Sequence, residues 1–170
     1  MKKVILILAA GLTLSGCVSR TPGAQIGPDG QPIPVAYTIN AAEAAAIPNR
    51  TLEQVNMLRS GSNVGTLTLD PALNAAAAAH SRDMAAQNRA WHFGSDGSSP
   101  LERARRAGYP GQLVGENISE SYENDIATLQ AWMQTRDTRD VIMDPSATTL
   151  GVAWYQEPSK KIWWTLITGK

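Results

Sequence analysis

The sequence predicts an α+β domain in which helices pack on a small antiparallel sheet. Helical spacing of apolar residues fills most of the chain after residue 49, and two strands close it, at 149–156 and 161–168, with a turn between them. Because strands and helices do not alternate regularly, a parallel α/β fold is not favoured. With 15 basic and 15 acidic residues and 43% hydrophobic residues, the composition argues against a mostly disordered chain and a general nucleic-acid binder.

The first segment has the pattern of a bacterial lipoprotein signal. Lys2 and Lys3 precede the apolar run 4–14, which is too short to span a bilayer. The run ends in Leu14-Ser15-Gly16-Cys17, which resembles a lipobox, and Cys17 is the single cysteine of the chain. The resemblance implies that residues 1–16 are a signal peptide and that Cys17 carries a diacylglycerol thioether and an amide-linked acyl chain such as palmitate. The alternative is an ordinary secretory signal with an incidental cysteine.

The segment after the cysteine predicts a tethered envelope protein. Two or three acyl chains hold a protein stably on a membrane. An Asp after the cysteine would indicate retention in the inner membrane of a Gram-negative cell, so Val18 favours the outer membrane, facing the periplasm or the cell surface. Prolines and glycines predict that residues 17–48 are the lipidated cysteine and a flexible tether, and Pro48 is expected to stop any helix begun at Ala41. The folded domain is then 49–170.

Helix starts within this domain carry strong local signals. Asp70-Pro71 and Ser99-Pro100 each combine a capping side chain with a proline suited to the first helical position. They predict helices from 71 to about 88 and from 101 to 107, and a further helix is expected at about 123–135. The first of these helices is rich in alanine, and its predicted buried stripe comprises Leu73, Ala76, Ala77, His80, Met84 and Ala85.

Few residues can carry chemistry. His80 lies on the apolar stripe and is expected to be a hydrogen-bonded core residue rather than a ligand. His92 lies in a loop two residues before Gly94, and Glu116 directly follows Gly115, so both can line a cleft. Ser95, Ser98 and Ser99 lie near His92, but no Gly-x-Ser-x-Gly motif surrounds them and helix capping explains the last two. Strand alternation places Trp163 and Trp164 on opposite faces, which leaves one of them open to exposure, although core or edge packing also explains both.

Several short motifs, in order, resemble the bacterial branch of the CAP superfamily, the SCP-like extracellular domain. The resemblance covers roughly residues 50–169 and implies a three-layer α-β-α sandwich with a central cleft that, in many members, holds two histidines and acidic residues able to bind zinc. The motifs are Leu73-x-x-x-Ala77-x-x-His80-Ser81-x-Asp83-Met84-Ala85, His92 with Ser95-Asp96-Gly97-Ser98, Arg103 with Ala107-Gly108-Tyr109, Gly115-Glu116-Asn117-Ile118, Trp132-Met133, and Leu150-Gly151-Val152.

Carried over by position, His92 matches the first cleft histidine and Glu116 the cleft glutamate. The second histidine is expected in a Gly-His-Arg stretch, where this chain has Thr138 followed by the matching Arg139. Zinc usually takes three or four protein ligands, and a threonine hydroxyl is a poor one. We therefore expect no cofactor and weak or absent zinc binding, with His92 and Glu116 as weak candidate ligands. Asp137 is the one neighbouring carboxylate that could swing in.

Three functions follow from this resemblance. The favoured one is a lipid-anchored, non-catalytic binding module whose site is formed by His92, Glu116 and Thr138, and whose partner is an envelope protein, glycan or lipid. The second is an envelope hydrolase acting on peptide or glycan, with Glu116 as general base and His92 as its partner. The third is a lipid carrier, against which stands the lack of a long apolar segment that could line a groove. No nucleic-acid partner is expected.

Overall fold

The computed structural model describes residues 36–170, which form five helices and four strands. Pro71 and Pro100 each open a helix behind a capping side chain, Asp70 and Ser99 respectively, as the sequence predicts. The elements in chain order are α1 (Ala41–Gly61), β1 (Thr68–Leu69), α2 (Pro71–Gln87), α3 (Pro100–Arg106), β2 (Leu113–Ser121), α4 (Asp125–Gln134), α5 (Arg136–Met143), β3 (Thr149–Gln156) and β4 (Ile162–Gly169).

The strands form one mixed sheet in the order β1-β3-β4-β2. β3 and β4 pair as an antiparallel hairpin, and β2 adds antiparallel to the other side of β4, with Glu116 opposite Ile167. The two-residue strand β1 pairs parallel to β3, and this pair is the part of the sheet that departs from the antiparallel arrangement expected from the sequence. In this order β3 and β4 are central, and β2, which carries Glu116, forms one edge of the sheet.

Helices cover both faces of the sheet and make the three-layer sandwich that the family resemblance implies. One core joins α1, α4 and α5 to the face of the sheet that carries Trp164 and Leu166, and a smaller core joins α2 and α3 to the face that carries Ala153 and Ile167. Trp163 and Trp164 point to opposite faces but are 0% and 1% exposed. Neither is available to an outside ligand, because each face of β4 has its own helical layer.

Helix α1 corrects the expected tether boundary. Pro48 lies inside α1, which begins at Ala41 behind the capping side chain of Asn40. An interior proline removes one backbone hydrogen bond and costs about 3 kcal/mol, but Ile47 beside it is fully buried in the larger core. Tertiary packing therefore carries the helix through the proline, and the prediction that residues 41–48 belong to a flexible tether is wrong.

Two further elements complete the domain. Residues 113–121 form the strand β2, and residues 136–143 form the short helix α5, which the sequence patterns do not indicate. Within residues 36–170, no helix has both the length and the hydropathy that crossing a bilayer requires. The predicted signal peptide, Cys17 and Val18 lie outside the described residues.

Candidate functional site

Glu116 lies on the sheet face that α2 and α3 cover. Successive side chains of β2 point to opposite faces, so Glu116 turns toward α2 while its neighbour Asn117 turns toward α5. The Glu116 side chain is only 2% exposed, and its Oε1 lies 2.9 Å from Nδ1 of His92. The two residues that the sequence placed in one cleft are thus in direct contact.

Arg103 neutralises this buried carboxylate. It projects from α3, whose start is fixed by a capping box between Ser99 and Glu102. One nitrogen of its guanidinium, Nη2, donates to Glu116 Oε2 at 2.7 Å, and another, Nη1, donates to the backbone carbonyls of His92 and Ser98, both at 2.9 Å. Arg103 therefore holds the carboxylate and the backbone of the histidine loop in one arrangement, which accounts for its own burial.

His80 also borders Glu116, closer than the sequence suggested. It is a fully buried residue of α2, as expected, but its Nε2 lies 3.8 Å from Glu116 Oε1. The same Nε2 lies 3.0 Å from the carbonyl oxygen of Trp91, which can only accept, so Nε2 carries the proton and the buried Nδ1 has no partner. Burial lowers the pKa of His80, and the nearby Arg103 lowers it further, against the opposing effect of Glu116.

His92 is the solvent-facing member of the cluster. Its side chain is 51% exposed. The ion pair with Arg103 requires Glu116 to be a carboxylate, which only accepts, so His92 donates through Nδ1, while its Nε2 has no hydrogen-bond partner among residues 36–170. This arrangement reverses the roles expected for a hydrolase, because Glu116 is enclosed and orients the ring, while His92 is the group that an outside molecule can reach.

Thr138 is not brought to His92 and Glu116. It lies in α5, on the opposite side of β2 from the Glu116 side chain, and Asn117 donates to its carbonyl oxygen at 2.7 Å. Its hydroxyl donates to the carbonyl oxygen of Trp132 at 2.6 Å. Asp137 is exposed on the same helix. The Thr138 hydroxyl is thus bonded to a nearby backbone carbonyl and does not take part in the site formed by His92 and Glu116.

The donor set fits zinc poorly. His92 Nδ1 is bonded to Glu116 Oε1, and Oε2 carries a guanidinium whose positive charge opposes a cation. His80 donates its Nε2 proton to the carbonyl oxygen of Trp91, so that nitrogen is not open to a metal. In residues 36–170, no group of three His, Cys, Asp or Glu side chains could hold a metal ion. Weak or absent zinc binding therefore stays a prediction.

That prediction is tested by calorimetric titration of the full chain with zinc. We expect no micromolar site. A micromolar or tighter site that the substitution His92→Ala abolishes would overturn it.

Arg103 is the site residue that sequence reasoning missed. It occurs in the family motif but resembles its neighbours Arg105 and Arg106, and no local pattern distinguishes it. The two differ in burial: the side chain of Arg103 is 8% exposed, whereas that of Arg106 is 61% exposed. Of the nearby serines, Ser99 caps α3 as expected.

Comparison with known families gives a match over most of the domain. The family model described as CAP, the cysteine-rich secretory protein family, matches residues 52–167. The protein YkwD of Bacillus subtilis is 27% identical over 129 residues, which is 76% of this chain and 49% of that protein. The chain therefore spans about half the length of this relative.

Solved structures share the fold. An extracellular protein of Bacillus anthracis that contains an SCP domain is 25% identical, with a TM-score of 0.66 over 79% of this chain and 45% of that one. An outer surface protein of Borrelia burgdorferi superimposes with a TM-score of 0.69 at 15% identity, over 80% of this chain and 98% of that one. At that identity the likeness shows the fold alone.

Proposed function

Because this chain belongs to the CAP family, we propose that it is a lipid-anchored binding module of the bacterial cell envelope, held in the membrane through Cys17 and presenting the His92 surface to an envelope ligand. The lipobox-like sequence supports the anchor. The extracellular description of the similar Bacillus anthracis protein agrees with an envelope location. Val18 favours the outer membrane, facing the periplasm or the cell surface.

One observation favours a binding module over a hydrolase that uses Glu116 as its base. Both oxygens of Glu116 are engaged, by His92 and by Arg103, and the side chain is 2% exposed. A general base must reach the proton that it removes, directly or through one water molecule. Glu116 cannot do so in this arrangement, and its carboxylate serves to fix the shape and charge of the surface around His92.

The anchor is tested on the full chain expressed in a bacterial host that carries the lipoprotein pathway. We expect labelled palmitate to enter the protein and the mature chain to begin at Cys17. The variant Cys17→Ser should take up no label. An unlabelled wild-type chain, or one cleaved at another bond, would overturn the anchor while leaving the role of the domain untouched.

The binding role is tested by cross-linking the full chain in its own envelope and comparing it with His92→Gln. We expect one reproducible cross-linked species, and we expect His92→Gln to reduce its amount. Glu116 and Arg103 remain paired in this variant, so a reduction reflects loss of the imidazole and not unfolding of the site. The exposed control Arg136→Gln, on α5, should not change it. A cross-link pattern identical in wild type and His92→Gln would contradict a role for this surface.

A hydrolase remains the second candidate, with His92 now as the base. Its Nδ1 is oriented by Glu116 and its Nε2 is free, which is the arrangement used by histidine bases. Turnover of peptide or peptidoglycan by the purified chain, abolished by His92→Gln, would establish this function in place of a binding module. Absence of turnover under conditions where the ligand binds would support the binding module.

A lipid carrier has one structural feature in its favour. A depression of about 320 Å³ lies between α1 and α4, and Met57, Leu58, Ile126, Leu129 and Met133 supply its apolar lining. Sequence patterns do not reveal this depression, because each helix contributes only part of the lining. Extraction of labelled fatty acid from vesicles, lost in Leu58→Asp, would favour the carrier.

A further inference from the structure

A depression beside the His92–Glu116 pair shares Arg103 with it. This depression, which we call the alanine groove, has a volume of about 490 Å³ and is bounded by α2, by α3 and by the loop between them. Its floor consists of the methyl groups of Ala75, Ala76, Ala79 and Ala107. Asp83 and Asp96 stand among its polar lining residues.

The charges around the groove do not cancel. The guanidinium of Arg103 is paired with Glu116, and that of Arg106 with Asp96. Hydrogen bonds from Ser98 and Arg106 lower the pKa of Asp96, so this carboxylate is fully ionised and committed. Asp83 has no ion-pair partner among residues 36–170, and it gives the groove one unbalanced negative charge.

Asp83 is held rigidly and has one oxygen to spare. Its Oδ2 accepts from the amide of Gln87 at 2.9 Å and from the backbone N–H of Ser95 at 2.7 Å. Gln87 is in turn fixed by the indole N–H of Trp91 at 3.0 Å. Both hydrogen bonds of Asp83 fall on Oδ2, and Oδ1 has no hydrogen-bond partner among residues 36–170.

We propose that the alanine groove binds an aliphatic side chain that ends in an ammonium group, a lysine-type residue of a peptide, with its methylene stem on the alanine floor and its ammonium at Oδ1 of Asp83. Long cationic side chains commonly bury their stems on apolar surface and keep the charge at its edge. An anionic ligand is disfavoured because it would face Asp83, whose negative charge no cation in the groove neutralises. This inference rests on the groove alone, so it stands or fails apart from the lipid anchor and the role of His92.

The test uses the full chain in a non-ionic detergent, with alanine methyl groups labelled for NMR. The probe is lysine with an acetylated α-amine and a methylamide at its carboxyl end. We expect saturable shifts at the methyls of Ala75, Ala76, Ala79 and Ala107. The same probe acetylated on its ε-amine keeps the stem, loses the charge and should bind at least about five-fold more weakly.

Variants locate the contact. Asp83→Asn should weaken binding about five-fold, and Ala79→Met, at an exposed position of α2, should abolish it by filling the groove. Glu53→Gln removes an exposed carboxylate from α1, on the other face of the sheet, and should leave binding unchanged. The remaining alanine signals report whether each variant is folded.

Three results would overturn the proposal. The first is equal binding of the two lysine probes, and the second is an unchanged dissociation constant in folded Asp83→Asn. The third is a set of shifts confined to alanines outside the groove. Binding of an acetylated amino sugar at the same methyls, in the absence of lysine binding, would assign the groove to a glycan instead.

Discussion

At the scale of single residues, the site depends on a buried ion pair. Arg103 and Glu116 are 8% and 2% exposed at their side chains, and each charge is taken out of water only because the other is beside it. Removing one partner of such a pair leaves the other charge buried alone, which costs far more than the net contribution of the intact pair. Arg103 also fixes the backbone of His92, because its Nη1 donates to the His92 carbonyl oxygen.

The substitution Glu116→Gln should therefore lower the free energy of unfolding by about 3–5 kcal/mol. Urea denaturation followed by tryptophan fluorescence measures this loss. The matched control is Arg136→Gln, which breaks a pair to Asp140 whose side chains are 83% and 60% exposed and which should cost less than about 1 kcal/mol. A loss in Glu116→Gln no larger than in the control would show that the buried pair does not carry this stability.

His80 gives the stability a pH dependence of known sign. Burial holds its pKa below the ordinary value, so below about pH 6.5 the unfolded chain binds a proton that the folded chain refuses. Its contribution is fully present above the unfolded pKa and is lost as the pH falls toward the folded one. Acidification should lower the free energy of unfolding through this residue.

His80→Gln keeps a donor for the carbonyl of Trp91 but removes the titrating ring. The difference in the free energy of unfolding between wild type and variant should shrink as the pH falls from 8 to 5, by up to about 1.4 kcal/mol per pH unit below 6.5. Urea denaturation at both pH values measures it. A difference that stays constant over this range would exclude the assigned role of His80, since the other titrating groups are common to both proteins.

At the scale of elements, the N-terminal half of α1 belongs to the folded domain. Arg50 of this helix donates to both oxygens of Asp125 in α4, at 2.8 and 2.9 Å, and Ile47 is fully buried between the helical layer and the sheet. Arg59 near its other end donates to four backbone carbonyls, among them those of Ile142 and Ala147. These contacts connect α1 at both ends to elements distant in sequence.

Ile47→Ala tests this assignment directly. Because the side chain is fully buried, we expect a loss of about 2–5 kcal/mol in the free energy of unfolding. Ala45→Ser lies two residues away on the exposed side of α1 and should change stability by no more than about 0.5 kcal/mol. If chemical denaturation finds the two variants equal, residues 41–48 contribute no more than a tether would.

At the scale of the whole molecule, the distance between the layers depends on one glycine. A Cβ at Gly151 of β3 would collide with the backbone of α2, at the carbonyl carbon of Leu73 and, at 2.6 Å, the nitrogen of Asn74. The same contact lets Asn74 Oδ1 accept from the backbone N–H of Val152 at 2.7 Å. The close approach brings α2 onto the sheet face that also carries Glu116.

Gly151→Ala should accordingly lower the free energy of unfolding by about 1–3 kcal/mol, because backbone atoms cannot move aside as a flexible side chain could. Gly65→Ala meets no atom within 4 Å and should be within about 1 kcal/mol of wild type. Thermal or urea denaturation compares the two. Equal stability of the variants would mean that the layers can separate at no cost.

The amino-acid sequence by itself determined the features that depend on near neighbours. Asp70-Pro71 and Ser99-Pro100 start helices because a capping oxygen and a fixed proline φ act within one turn. Ordered motifs were also sufficient to place His92 and Glu116 in one site.

Only the tertiary structure decided which of three similar arginines is buried, that α1 continues through Pro48, that both Trp163 and Trp164 are enclosed, and that Thr138 turns away from Glu116. Contacts between different layers decide the course of α1 and the burial of both tryptophans, and Glu116 on β2 decides which arginine is buried. Burial and partner choice follow from where layers meet, and local patterns do not contain that information.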